Sequence, residues 1–346
     1  MQDSAPAPSS QTTTDPPKKP LLKKLGFGVW RADQQSEGYL FLLPSLIGFI
    51  LFVIFPIIAS LLLSFYKWDL LTPAEFIGAD NYVELATTDP LMGQVLVNTF
   101  FYMLTIAPIQ LALGFVLALM LNSGLRGMGV YRMIYFMPVV TSIVAAAMVF
   151  QFLLNRDSGV LTAYMWWGVE KLFEYDFVLN NEQVAEFVRT YLTPPDWLND
   201  PNWAKPGVIM LTLWKNVGFT MVIYLAALQG IPQTLYEAAE VDGASIWQRV
   251  RHITIPLVSP TTFFLLVIQM LGAFQIFEEP FVMTANTQGQ VPPASMSIVI
   301  YIFLNAFRFQ RMGKAAAIAW VLFAIVFALT LIQLRLQRRW VHYETE

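Results

Sequence analysis

One polar segment, 231–256, has the residue types and spacing of a protein-binding helix–turn–helix. Small and apolar residues at helical spacing predict a first helix that contains Leu235, Ala238, Ala239 and Asp242. Gly243 can adopt the left-handed geometry that ends a helix, and Ser245 can cap the next one. The small side chains would let another protein approach the helix backbone closely, with Glu237, Arg249 and Arg251 at the rim. Periodicity alone favours an alternative, an amphipathic connector lying at the membrane.

The chain lacks the short motifs that organise common enzymatic sites. It contains no Gly-x-x-x-x-Gly-Lys-Ser/Thr phosphate loop, Gly-x-Ser-x-Gly elbow, His-Glu-x-x-His pair or dinucleotide fingerprint. Cysteine is absent and His252 and His342 are the only histidines, which argues against disulfides, thiol catalysis and common zinc sites. A net charge of -3 does not suggest nucleic-acid binding. The sequence therefore predicts a non-catalytic subunit without its own metal or cofactor, so any nucleotide chemistry must lie on another polypeptide.

Membrane-spanning helices must position these residues, because 56% of the chain is hydrophobic and only 13% is charged. The charges cluster, which leaves uncharged runs of about 20 residues or more, enough to cross ~30 Å of hydrocarbon as helices. A backbone in lipid must satisfy its own hydrogen bonds, and no run alternates polar and apolar residues like a barrel strand. The predicted fold class is an all-α, polytopic membrane helical bundle with six transmembrane helices, near 39–65, 95–121, 133–154, 207–230, 256–277 and 313–335.

Lysine and arginine favour an orientation with the N-terminus inside. They are more frequent in the segments that would then face the cytoplasm, which are 1–37, 122–132, 231–255 and 335–346. The positive-inside rule predicts a multi-pass membrane protein with both termini cytoplasmic. Residues 1–37 would form a largely disordered tail, 38–335 the transmembrane domain and 336–346 a second tail. The tryptophan-rich outer insert, 156–206, would form a small extracytoplasmic cap or lie at the membrane interface.

Segment 231–256 resembles the Glu-Ala-Ala loop of ABC importer permeases, specifically of the maltose-type carbohydrate permeases. The matching residues are Glu237-Ala238-Ala239, Asp242-Gly243-Ala244, Ile253, Ile255 and Pro256. The resemblance extends over roughly 38–335, through Leu213-Trp214, Trp197-Leu198-Asn199-Asp200-Pro201 and the stretch from Met312 to Ala319. The sequence departs from the family pattern at an extra stretch near 171–195 and at the turn from Thr284 to Gly289.

The resemblance implies the type I permease fold of ABC importers, a place in the bacterial cell (inner) membrane and an assembly of several subunits. The implied partners are a second homologous permease, two ATPase subunits that bind ATP and magnesium, an extracytoplasmic solute-binding protein and membrane lipid. The loop would couple this chain to the ATPase through Glu237, Ala238, Ala239, Asp242, Gly243, Ala244, Ile253 and Pro256. The expected function is to form half of the translocation pathway for a sugar or sugar-like solute. Glycerol phosphate and an osmolyte glycoside are alternative solutes.

The resemblance assigns the pathway to the two spans that flank the loop. Sugar recognition needs amide hydrogen bonds and flat apolar faces, so the candidates are Trp214, Lys215, Asn216, Gln269, Phe274, Gln275, Phe277 and Glu278. For the aromatic residues, packing within the bundle is the alternative. Lys215 lies about 12 Å from the outer end of its predicted span. It would serve as a pathway cation, form an outer gate pair with Glu278 or Glu279, or have only a structural role.

A stand-alone secondary transporter is the remote alternative. An ion- or proton-coupled transporter would be expected to place acidic residues or a charge relay within its spans. The predicted spans of this chain are nearly free of charge, which favours the importer subunit.

Overall fold

The computed structural model describes residues 35–122, 127–175, 180–188, 192–285 and 290–340, without side chains for 35–41 and 338–340. Most of the predicted N-terminal tail, the residues after 340 and the unusual turn at 286–289 lie outside these ranges. Parts of the extra stretch near 171–195 lie outside them as well.

The described residues are almost entirely helical. The α-helices are α1 (Gln35–Phe49), α2 (Phe55–Leu63), α3 (Asp80–Thr87), α4 (Met92–Leu121), α5 (Met128–Val140), α6 (Ile143–Leu153), α7 (Val160–Phe173), α8 (Glu182–Phe187), α9 (Ala204–Gln229), α10 (Gln233–Val241), α11 (Ile246–Arg249), α12 (Ile255–Leu257), α13 (Ser259–Phe274), α14 (Glu278–Thr284), α15 (Ile298–Phe303) and α16 (Met312–Trp340). Wider π-helical turns occupy Ile50–Ile54, Val250–Thr254 and Leu304–Arg308. A two-stranded antiparallel sheet pairs β1 (Tyr66–Lys67) with β2 (Glu75–Phe76).

The chain divides into two units, 1–58 and 59–346. The described part of the first unit is the apolar helical segment that starts at Gln35. In the second unit, α9 is central and packs against α4, α5 and α13. Gly218 of α9 lies against the backbone of α5, where a Cβ would overlap the Tyr135 carbonyl group. The second unit is therefore assembled around α9.

The all-helical membrane fold predicted from the sequence is confirmed. Four helical segments are long and apolar enough to cross a membrane, namely Leu42–Leu63, Met92–Leu121, Ala204–Gln229 and Met312–Gln337. Two bent helix pairs raise the number to six if each pair is one span. The described residues thus contain four to six crossing segments, and the predicted six correspond to the upper value.

The expectation that span three is a single helix was wrong, because it is α5 followed by α6, with a bend of 98°. The fifth predicted span, near 256–277, corresponds to α13, and a bend of 65° separates α13 from the helix at Ile246–Leu257 before it. At the first bend Thr141 and Ser142 adopt extended backbone, and Pro138 lies in the last turn of α5. Before Pro256 the helix widens into its π-helical turn, because proline cannot donate a hydrogen bond and its ring crowds the preceding turn.

Candidate functional site

The segment 231–256 forms the predicted helix–turn–helix. Helix α10 ends at Val241, and Gly243 adopts φ +76°, the left-handed region that glycine enters without steric cost. The Gly243 and Ala244 amides donate to the Glu240 and Ala239 carbonyls at 3.1 and 2.9 Å and close the turn. Ser245 then forms a capping box with Gln248 at the start of α11. Local chemistry therefore accounts for the whole turn.

Two contacts fasten this loop to itself. The Tyr236 hydroxyl lies 3.0 Å from Oγ1 of the buried Thr254, which joins α10 to the π-helical turn before Pro256. Arg249 donates to Glu240 at 3.3 Å across the turn. The two helices of the loop are therefore linked by side chains as well as by Gly243.

The exposed surface of the loop contains the residues expected to bind a partner. Glu237, Ala238, Asp242 and Gly243 are exposed, whereas Ala239, Ala244, Ile253 and Pro256 are partly covered. Sequence reasoning missed the large apolar residues beside them: Val241 is 90% exposed, Ile246 73% and Trp247 69%. An Ile-Trp pair after a helix cap, in an otherwise polar segment, was the signal available in the sequence. Together these residues, 237–247, form an exposed surface that we call the loop face.

A cavity of about 330 Å³ lies between α4, α9 and the end of α13. Its lining is mixed, with amide, carboxylate, hydroxyl and apolar groups: Ile106, Gln110, Thr212, Asn216, Gln269, Gly272, Ala273, Gln275, Ile276, Phe277, Glu278 and Glu279. Five of the eight predicted pathway residues belong to it, namely Asn216, Gln269, Gln275, Phe277 and Glu278. The structure thus brings most of the predicted pathway residues together around one space.

The other three predicted pathway residues lie elsewhere. Trp214 is exposed on the outer surface of α9 and packs against Phe150 at 5.3 Å between ring centroids. Phe274 is buried and meets Phe100 edge to face at 5.3 Å. Both aromatic residues therefore make packing contacts, and neither lines this cavity.

Lys215 has partners other than the expected acids. Its ammonium group donates to the carbonyls of Val139 and Thr141, at 3.1 and 2.9 Å. These carbonyls lie at the bend between α5 and α6, where the helix end leaves acceptors unpaired. Among the described residues no ion pair joins Lys215 to Glu278 or Glu279, so the predicted gate pair is replaced by a cap on the bend.

Sequence reasoning missed Gln110 and Thr212 of the cavity lining, and it named Glu279 only as a gate partner of Lys215. The amide nitrogens of Gln110 and Gln269 both donate to Oγ1 of Thr220, at 3.2 and 3.0 Å. The side-chain oxygen of Gln110 is fully buried and has no hydrogen-bond partner among the described residues. A glutamine in the uncharged run 90–125 was the available signal, because a polar group there needs a partner inside the bundle.

The acidic residues of the lining lie just after α13. Burial raises the pKa of Glu279 above its usual range, and the neighbouring charge of Glu278 acts in the same direction. A backbone hydrogen bond and the positive charge of Lys215 oppose this rise. Within the described ranges no three His, Cys, Asp or Glu residues cluster closely enough to hold a metal ion.

The chain is similar to known membrane transport components. Residues 110–342 match the family model described as binding-protein-dependent transport system inner membrane component. The chain is 34% identical over 310 residues to the probable ABC transporter permease protein YesP of Bacillus subtilis, covering 89% of this chain and 93% of that protein. It is 32% identical to the lactose transport system permease protein LacF of Rhizobium radiobacter, covering 86% and 92% of the two chains.

A solved structure has the same fold. A chain of a bacterial ABC transporter involved in the import of the acidic polysaccharide alginate superposes with a TM-score of 0.72 at 25% identity. The match covers 89% of this chain and 96% of the other. The structural similarity therefore extends over most of this chain.

Proposed function

Since the chain belongs to the family of binding-protein-dependent transport system inner membrane components, we propose that its cavity is half of a pathway for a sugar or sugar-like solute. The chain is a permease subunit of an ABC importer and a multi-pass membrane protein. As a permease it is a non-catalytic subunit. Its function is to move a solute, not to transform one.

One observation carries the solute class: polar groups from three helices surround one cavity. Gln110, Thr212, Asn216 and Gln269 offer amide and hydroxyl groups, and Phe277 adds an apolar ring. Sugar rings present hydroxyl groups at their edges and apolar faces, so this combination suits them. The names of LacF and of the alginate importer also refer to saccharides. A carbohydrate-like solute is therefore the best match to the lining.

The coupling proposal concerns the loop face. An exposed helix–turn–helix with Val241, Ile246 and Trp247 uncovered suits insertion into a cleft of a separate ATPase subunit. ATP and magnesium would bind on that ATPase, where hydrolysis supplies the free energy of transport. The complete importer would contain a second homologous permease, two ATPases and an extracytoplasmic solute-binding protein, with both termini of this chain in the cytoplasm.

Coupling in this scheme is mechanical. Closure of the ATPase pair would move the loop, and the Tyr236–Thr254 contact and the capping box would keep its two helices together. The movement would pass through the bend before α13 to the cavity, which opens alternately to the two sides of the membrane. In this scheme each of these residues either positions the loop or transmits its movement.

The experiment tests Gly243→Leu in the complete importer reconstituted into liposomes. We expect solute uptake and solute-stimulated ATP hydrolysis to fall at least about tenfold while the complex still assembles. A β-carbon at φ +76° costs roughly 1 to 2 kcal/mol, and the larger side chain protrudes from the loop face. Normal solute-stimulated hydrolysis in this variant would contradict the coupling role.

Two control variants distinguish an effect on the turn at Gly243 from a general effect of a larger side chain. Gly168→Leu makes the same change at a glycine on α7 that also has open space around it but ordinary backbone geometry. It should leave uptake unchanged. Gly243→Asn should retain most activity, because asparagine tolerates the left-handed region better than leucine does.

A further inference from the structure

The cavity has ionisable groups of only one sign. Among its lining residues the charged side chains are Glu278 and Glu279, with no lysine, arginine or histidine. Glu278 is an exposed carboxylate among these lining residues. A solute in this cavity therefore meets negative charge from this chain.

The cation whose charge acts on Glu279 does not reverse the sign of the charge in the cavity. Lys215 is the one lysine predicted for the pathway, and its ammonium group is bound to the Val139 and Thr141 carbonyls. It lies outside the cavity lining. Its charge acts on Glu279 at a distance, but its hydrogen-bond donors are directed to the bend between α5 and α6.

The neutral part of the lining also requires a donor from the solute. The buried Gln110 side-chain oxygen lacks a partner in the described part of the chain, and the Gln110 amide nitrogen is held by Thr220. A buried acceptor without a donor is unfavourable, so a hydroxyl group that reaches it would be bound favourably. Hydroxyl groups can donate to this oxygen and to the glutamates, whereas a carboxylate, sulfonate or phosphate can only accept.

On the basis of the proposed function, we infer that this cavity admits uncharged, hydroxyl-rich saccharides and rejects acidic ones, with Glu278 and Glu279 as the charge filter and Gln110 as a hydroxyl acceptor. This selects among the solutes that the sequence left open, since it favours a neutral sugar or glycoside over glycerol phosphate. It also predicts a solute unlike the acidic polysaccharide of the structurally similar importer.

The test measures binding of matched neutral and anionic disaccharides to the assembled permease–ATPase complex in nanodiscs. The probes are lactose, maltose and cellobiose, each mixed with its aldonate, and saturation-transfer NMR reports their relative binding. The solute-binding protein is omitted, because it has a selectivity of its own. We expect at least one neutral sugar to bind about tenfold or more tightly than its aldonate, as expected for unit charges within several ångströms in a partly solvated site.

The variants assign the selectivity to this site. The double variant Glu278→Gln/Glu279→Gln should bind each neutral sugar and its aldonate about equally tightly. Glu278→Gln alone, at an exposed position, should reduce the difference between the two affinities without affecting packing. Gln110→Leu should weaken neutral binding severalfold. Glu174→Gln is the matched control, because it removes one exposed acid of a surface ion pair outside the cavity and should leave the ratio unchanged.

The outcomes separate the inference from its premise. Equal binding of a neutral sugar and its aldonate by the unaltered complex, or an unchanged ratio in both glutamine variants, would overturn the charge filter and leave the pathway intact. If none of the six saccharides binds at all, the proposed carbohydrate pathway itself is overturned.

Discussion

Lys314 and Lys215 both lie in membrane-spanning helices, yet different chemistry holds each of them. Lys314, at the start of α16, is 6% exposed and meets two carboxylates, Asp89 at 2.6 Å and Glu84 at 2.7 Å. Lys215, within α9, meets two backbone carbonyls at 3.1 and 2.9 Å. The first lysine is neutralised by full charges and the second only by peptide dipoles.

The type of partner determines which groups lose an interaction when each lysine is replaced. The Asp89 side chain is fully buried, and it also accepts hydrogen bonds from Tyr301 and from the Leu91 and Met92 amides at the start of α4. Without Lys314 a buried negative charge would lose its counter-ion, whereas without Lys215 only neutral carbonyls would lose a donor. Lys314 should therefore contribute mainly to stability and Lys215 mainly to the local shape of the bend.

The largest expected effect follows from Lys314→Met. This change should destabilise the protein by about 3 kcal/mol or more, because breaking a buried ion pair leaves an uncompensated charge. The measurement is the thermostability of the assembled importer, read by size-exclusion chromatography with a fluorescent tag on this chain. We expect a much lower midpoint temperature and a poor yield of complex.

Two further variants serve as controls for this prediction. Lys171→Met removes a lysine from an exposed ion pair with Glu174 and should change stability little. Adding Asp89→Asn to Lys314→Met should recover part of the lost stability, since no charge is then buried. If the single variant is as stable as the Lys171→Met control, then the Asp89–Lys314 pair is not a structural ion pair in the assembled importer.

The sequence predicts what depends on neighbours along the chain. Gly243, Ser245 and Gln248 lie within six positions, so their turn and cap could be inferred from residue types alone. Lys314 is 230 positions from Glu84, and Gln110 is 110 positions from Thr220. No local pattern joins such residues, which is why the ion-pair cluster and the buried acceptor of the cavity were found only from the fold.

The helix bends also could not be predicted from local sequence alone. Pro138 lies beside a 98° bend, yet Pro108 lies within the unbroken helix Met92–Leu121. A proline removes one hydrogen bond in either place, and the surrounding packing decides whether the helix continues. For this reason the sequence could locate span three but could not predict its bend, and none of the roles that it left open for Lys215 involved the carbonyls beside that bend.

The second prediction concerns Lys215, which has the weaker interactions of the two lysines. Lys215→Met should cost about 1.5 kcal/mol, near the value of one charge-assisted hydrogen bond, and less than Lys314→Met by the same thermostability assay. Lys215→Arg should restore most of the stability, because the guanidinium group can still donate to Val139 and Thr141. A loss equal to that of Lys314→Met would indicate that Lys215 neutralises an acid after all.

The last and smallest expected effect is a change of stability at acidic pH, which should be larger at the Lys314–Asp89 site than at the Lys215 site. Burial disfavours the Asp89 carboxylate, but hydrogen bonds from Lys314, Tyr301 and two backbone amides outweigh it and lower the pKa of Asp89. A lowered pKa stabilises the folded protein above the unfolded value, about 3.9, and this stabilisation is lost as the pH falls through the lower folded value. The stability gap between the unaltered protein and Asp89→Asn should therefore narrow as the pH is lowered from 7 towards 3.5. The Val139 and Thr141 carbonyls do not titrate, so the gap to Lys215→Met should change less over the same range, by no more than the charge of Lys215 contributes at Glu279. A larger narrowing for Lys215→Met than for Asp89→Asn would reverse the assignment of the two sites.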